Sequence, residues 1–205
     1  TYKDIPEDSV EAAKLVILDT LATALGGCTT AGSKEVAELV KDWGGKEEST
    51  IIGCGDKVTA QGAALVNGTM AHALDYDDTH DQASLHTGAC IIPACLAVAE
   101  KIGGVSDKQF IAAVTLGIDI MCRIGLATPT TPVQSGWLYT PLYGYLSAAA
   151  ATAKLLGMDD IGILNAMGIA YSQSAGNCQC IKDGALTKRI QAGFASMGGV
   201  ISAQM

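Results

Sequence analysis

Aromatic side chains are scarce in this sequence, at 5% of 205 residues, and charged ones make up only 17%. A core without rings is filled by small and aliphatic groups, and Ala and Gly dominate here. That excludes an aromatic-filled sandwich and predicts helices that approach one another closely. Basic residues are outnumbered: 13 Lys and Arg stand against 21 Asp and Glu, for a net charge of −8. That charge, with no basic stripe, argues against nucleic acid as a partner, although a local positive pocket can still take an anionic substrate. No apolar run reaches the roughly 18 uninterrupted residues that a membrane span needs, so no membrane association is expected. The opening TYKDIPEDS lacks the basic-then-apolar profile of a signal peptide. There is no G-x-x-x-x-G-K-S/T phosphate loop and no G-x-G-x-x-G after a strand, which argues against a nucleotide cofactor. There is no G-x-S-x-G elbow for a serine hydrolase.

Cysteine is present but unorganised. The seven cysteines are an odd number scattered through apolar patterns. Cys90, Cys95 and Cys122 read as small core residues, the usage of a reducing compartment, so a cytoplasmic protein is expected. Cys178 and Cys180 form the one close pair, and without a second pair they make no zinc site.

What is there is enough apolar material, 49% of the chain, for one compact domain. The pattern is mostly helical. Pro6-Glu7-Asp8-Ser9 opens a first helix that Gly26-Gly27 ends, with Ala13, Leu15, Val16, Leu18, Leu21 and Leu25 at helical spacing. SKEVAELVKDWGG gives a second. STIIGCG is the one plausible strand. TAQGAALVNGTMAHAL is helical, with Ala63, Val66, Met70 and Leu74 as its expected core stripe. Pro93 predicts a kink or a late start in the next helix. Ser106 caps another, TPTTPVQSGWLYTP is a loop, and helices end at Gly157 and Gly176. CIKDGALTKRI is a loop or short turn. The final AGFASMGGVISAQM reads as a helix without a finishing signal, and the chain opens without Met. The expectation is a fragment of a longer protein, an all-α domain over residues 1–205.

All three histidines fall in one acidic stretch, HALDYDDTHDQASLH, with Asp75, Asp77, Asp78 and Asp81. If the preceding helix runs on, His72, Asp75 and Thr79 share a face at i, i+3 and i+7. A carboxylate, a hydroxyl and imidazoles in one place can supply a general acid and base. The bland alternative, slightly ahead on spacing alone, is an exposed acidic turn after a helix. Another is that Asp75 and Thr79 cap neighbouring helices. Asp77, Asp78, His80 and His86 are also acceptable ligand types for a divalent ion. No H-x-x-x-H or H-E-x-x-H pair accompanies them, so metal is the minority reading. Two further places carry weight. Lys188-Arg189 follows a Gly-containing turn, where a lysine can meet a substrate carboxylate or move a proton. Tyr139, Tyr143 and Tyr145 lie in or near a Pro-bounded segment, where such rings usually cover a core edge.

NGTMAHALDYDDTH, then a further histidine, TPLYGYLSAAAATAKLLGMD and AYSQSAG…DGALTKRIQAGFAS occur in this order, and the sequence resembles the MmgE/PrpD family over essentially its whole length. That family includes 2-methylcitrate dehydratase, cis-aconitate decarboxylase and iminodisuccinate epimerase. The resemblance implies a helical domain that lacks the family's smaller α+β domain. It further implies a homodimer without a cofactor and a lyase acting on a small di- or tricarboxylate, 2-methylcitrate dehydratase-like. An epimerase, a metal-dependent enzyme or an inactive fragment are the alternatives. Carried over residue by residue, Asp75, Thr79, His86 and Lys188 match the family's catalytic positions, with His72, Tyr139 and Arg189 as expected substrate contacts and no metal ligand. The sequence departs from the family at GWLYTP. Many members read G-F/W-H-P-T there, so Leu138 stands where a site histidine would be, with Tyr139 beside it as a candidate replacement.

Overall fold

The computed structural model describes residues 1–205. It is 69% helical. A 3-10 turn at Tyr2–Asp4 leads into α1 (Glu7–Gly27) and α2 (Ser33–Trp43). A short ribbon pairs β1 (Ser49–Thr50) with β2 (Lys57–Val58) antiparallel, in the register Ser49 to Val58 and Thr50 to Lys57. The remaining helices are α3 (Ala60–Ala71), α4 (Gly88–Ile102), α5 (Asp107–Ala127), α6 (Pro132–Ser135), α7 (Tyr139–Leu155), α8 (Asp160–Tyr171), α9 (Gln179–Lys182) and α10 (Thr187–Gln204).

The expected all-α architecture is therefore the observed one, and its centre is α3. Every α3 residue except Gln61 is buried. A helix that is small and apolar on all sides must be surrounded, and α3 is enclosed by α1, α2, α4 and α10. Small residues permit this. A Cβ on Gly193 of α10 would lie 2.4 Å from the Leu65 carbonyl oxygen, and one on Gly68 would lie 3.0 Å from the Gly193 Cα. The two backbones touch there, which fixes α10 against α3. Lys188, five residues upstream of Gly193, is thereby held near the C-terminal end of α3.

Several boundaries differ from the sequence expectations, each for a packing reason. The α3 helix stops at Ala71, so Leu74 leaves the expected stripe and is half exposed. The i, i+3, i+7 face proposed for His72, Asp75 and Thr79 does not form, because no helix continues beneath them. In α1 the buried residues are Val10, Ala13, Thr20, Thr23, Ala24 and Gly27, whereas Leu15, Leu18 and Leu25 are exposed. Val10 and Ala13 pack against Ile111 of α5, and the exposed leucines lie off the faces that α1 turns to its neighbours. Only Ser49–Thr50 of the expected strand pairs; Ile51 N–H turns back to the Asp56 carbonyl at 2.8 Å and closes the ribbon.

Pro93 lies inside α4, five residues after its start. It has no N–H for the Ala89 carbonyl, and that carbonyl sits against Gly68. Ser106 caps α5 as expected, its hydroxyl accepting the Gln109 N–H at 3.3 Å. By length and composition α5 could cross a membrane: it has 21 residues and an 18-residue window of mean hydropathy 1.8. It packs against α7, α4 and α1, burying Val114 and Met121 in one cluster and Ile111 against Val10 and Ala13. The segment predicted as a loop, Thr128 to Pro141, contains the single turn α6, with Pro132 at its start, and its last three residues already belong to α7.

Candidate active site

The segment between α3 and α4 is tied down at both ends. His72 is the C-cap of α3. Asp75 follows with φ +55°; it and Ser84 are the only non-glycine residues with positive φ in the chain. Aspartate tolerates this left-handed conformation better than most residues, and the reversal turns its carboxylate out of the helix path. There Lys188 Nζ, on the first turn of α10, donates to Asp75 Oδ1. Two residues 113 positions apart in sequence thus form an ion pair. Asp75 is the more open partner, its side chain 56% exposed against 27% for Lys188. Burial pushes the Asp75 carboxyl up. The hydrogen bond and charge of Lys188, with smaller help from His72 and His86, outweigh it and hold the carboxyl below its ordinary range.

Behind this pair lies a buried carboxylate. His72 Nδ1 sits 2.9 Å from Asp77 Oδ2 and 3.1 Å from Oδ1. His86 Nδ1 lies 3.6 Å from the same Oδ2 and 3.4 Å from the Asp77 backbone carbonyl. The two imidazoles meet edge to face with centroids 4.9 Å apart. The His86 backbone N–H donates to Thr140 Oγ1 at 2.9 Å, which joins the segment to the first turn of α7. Leu138, the residue before that helix, is half buried and contributes no side-chain cap.

The neighbouring Asp78 has a different task. Its Oδ2 accepts the Thr87 N–H at 2.9 Å and the Thr87 hydroxyl at 2.6 Å, and its Oδ1 accepts the Gly88 N–H at 2.8 Å. Its own N–H donates to Asp19 Oδ2 of α1 at 2.9 Å. Asp78 therefore closes the start of α4, the capping task that the sequence suggested for Asp75 or Thr79. Asp78→Ala is expected to destabilise the protein by about 1–3 kcal/mol, since it leaves two helix-start N–H groups without an acceptor. A denaturant midpoint that corresponds to less than about 0.5 kcal/mol would contradict that role.

The remaining sequence candidates fall apart from this group. Thr79 is exposed and donates only to the Asp77 carbonyl, at 3.4 Å. Arg189 reaches the other way, its Nη1 donating to the Ala31 carbonyl at 2.7 Å. Tyr139 is buried among Leu85, Ile91 and Met121, and its hydroxyl shares a hydrogen bond with Thr130 at 2.8 Å. That is the core-edge position that the sequence reading held to be usual for these tyrosines. The set Asp77, Asp78, His80 and His86 does not converge: Asp78 is occupied at α4, and His80 Nδ1 accepts the Ala83 N–H at 3.2 Å. His72, Asp77 and His86 do come together, with one potential ligand atom each within 4.8 Å of the others. A carboxylate–imidazole hydrogen bond spans part of that space. Asp77 as the partner of both imidazoles, and Thr140 beneath His86, were not singled out from the sequence. The sequence offers Asp77 only as a possible metal ligand in an acidic run, and Thr140 lies 54 residues from its partner.

The arrangement offers an ammonium and a carboxylate at the surface, with two imidazoles behind them. An ammonium has three donors, so Lys188 keeps two beyond its bond to Asp75. Such a group can hold a carboxylate and exchange protons beside it.

The family model for the MmgE/PrpD N-terminal domain matches residues 1–205. A cis-aconitate decarboxylase-like protein of Aspergillus oryzae is 33% identical over 207 residues, which covers 98% of this chain and 43% of that protein. The cis-aconitate decarboxylase of Aspergillus terreus is 32% identical, covering 97% of this chain and 41% of its own length. The human cis-aconitate decarboxylase is 28% identical over 80% of this chain and 35% of its own length. The chain thus spans about two-fifths of the length of the curated relatives it matches most fully.

Proposed function

The chain belongs to the MmgE/PrpD family, and from that membership we propose that the full-length protein is a cofactor-independent lyase acting on a small di- or tricarboxylate. The observation that carries this reading is the Lys188–Asp75 pair beside His72 and His86, an acid–base group built around a cation. Decarboxylation of a cis-aconitate-like tricarboxylate is the first candidate, given the names of the relatives; dehydration of a 2-methylcitrate-like substrate is the second.

In either reaction negative charge develops on carbon or oxygen next to a carboxylate. In decarboxylation the carbon–carboxylate bond breaks, its electron pair stays on carbon, a proton is delivered there and CO2 leaves. Lys188 and His86 hold the substrate's carboxylates and stabilise that charge. Asp75 moves the proton or orients the group that does. Tyr139 and Arg189 are assigned no direct part, since their polar atoms are engaged with Thr130 and Ala31. The same reading makes the protein a homodimer of the cytoplasm.

Proton NMR of the full-length protein in D2O with chelator tests this, with 2-methylcitrate, citrate, cis-aconitate and iminodisuccinate-type dicarboxylates as the panel. The expected result is a new alkene signal or loss of CO2 with at least one of them. Turnover of none would overturn the reading. A second reading is favoured by Leu138 at the usual histidine position: an epimerase, whose signature is solvent deuterium at the carbon beside a carboxylate without net loss of water or CO2.

A further inference from the structure

Asp77 has no role in the mechanism above, yet it is the most enclosed acid of the site. Its side chain is 0% exposed, against 3% for His72 and 21% for His86. A buried carboxylate needs partners, and the two nearest are these imidazoles. Every atom that Nδ1 of either ring meets is an acceptor. His72 Nδ1 meets both carboxylate oxygens, at 2.9 and 3.1 Å. His86 Nδ1 meets Oδ2 at 3.6 Å and the Asp77 carbonyl at 3.4 Å. A ring nitrogen facing only acceptors is satisfied when it carries the proton. Nε2 lies across the ring from Nδ1, so in the partly open His86 it is the nitrogen left for an outside partner. The loop is held for this purpose by Asp78 on α4 and by Thr140 on the His86 backbone.

We propose that Asp77 is a positioning residue: its buried carboxylate keeps His72 and His86 protonated on Nδ1, so that His86 meets a substrate through Nε2. His72 then completes the shell of the carboxylate and braces the His86 ring edge to face at 4.9 Å. The kinetic consequence rests on the lyase reading, whereas the protonation pattern does not.

The test therefore begins with the full-length protein labelled with 15N-histidine, treated with chelator, and read by long-range proton–nitrogen correlation. The expected result is a proton on Nδ1 of both His72 and His86. An unprotonated Nδ1 on His86 overturns the proposal, whatever the enzyme does. In Asp77→Asn one acceptor oxygen becomes an NH2 donor, and His86 is expected to shift its proton toward Nε2. A pattern unchanged from the parent also overturns the proposal. Where a substrate has been found, kcat of Asp77→Asn is expected to fall at least about tenfold with KM nearly kept. A wrong tautomer in a comparable carboxylate–imidazole pair costs about 10⁴-fold. A loss under about threefold counts against the assignment. Correct protonation with no turnover of any polycarboxylate would leave the Asp77 assignment standing and remove the lyase reading instead.

Discussion

Under the proposed lyase reading, Lys188→Met is expected to lower kcat/KM of the full-length protein for a small polycarboxylate by about 10²–10⁴-fold, with little change in thermal stability. The two halves of this prediction have separate causes. Catalytic loss follows because the ammonium is the cation beside Asp75 and the imidazoles. Without it, charge developing next to a carboxylate has no ammonium to meet. Stability is nearly kept because the ion pair is open to solvent on the Asp75 side, and exposed pairs contribute about 0–1 kcal/mol. A variant that lost activity and unfolded together would show that Lys188 holds α10 in place rather than acting on substrate.

The same variant carries a pH signature. Lys188 is what holds the Asp75 carboxyl below its ordinary range against the upward push of burial. A carboxyl depressed in the folded state adds stability that is present above the ordinary carboxylate range. That stability is lost as pH falls through the lowered value. Lys188→Met removes the depression, so this small acid-side dependence of stability should vanish. The Asp75 carboxyl should then titrate at higher pH than in the parent. Carbon-detected NMR of the Asp75 carboxyl across the acid range reads this directly. An unchanged titration would mean that the pair does not persist in solution.

Asp75→Asn is expected to reduce kcat by about 10²–10⁴-fold, the usual effect of removing a positioned acid–base group, while KM changes little. Asparagine is the informative replacement. Asp75 sits at φ +55°, a conformation that asparagine also tolerates. Asn therefore removes the charge and keeps the turn. Alanine would add backbone strain and confuse the two effects. Loss of kcat with KM kept marks a role in the transition state; a raised KM with kcat kept would mark Asp75 as a binding group only. A loss below about tenfold in both would make Asp75 the partner that orients Lys188 and no more.

Part of this site was legible before any coordinates. The grouping of His72, Asp75, Thr79 and His86 within one acidic stretch pointed to the segment, and the Lys188-Arg189 pair after a turn offered the candidate cations. Which acid did what was not legible. Asp75, Asp77 and Asp78 lie within four positions and read alike. In the fold, Asp75 turns outward through a left-handed residue, Asp77 turns inward beneath two imidazoles, and Asp78 binds the N–H groups that open α4. These differences arise from the end of α3 at Ala71 and from contacts with α1, α4 and α7, which no local pattern encodes. The expected helical face through His72, Asp75 and Thr79 failed for the same reason: spacing presumes a helix, and the helix had already ended.

Composition and periodicity alone determined that this chain is a helical domain with small-residue interfaces. The choice of Ala and Gly over aromatics sets how near two backbones can come, and that property needs no tertiary context. Only the tertiary structure decided which residues meet. Gly193 against Leu65 brings α10 onto α3, and with it Lys188 onto Asp75 across 113 positions of sequence. Side-chain type is written residue by residue, but the pairing of distant charges depends on where the packed helices place them.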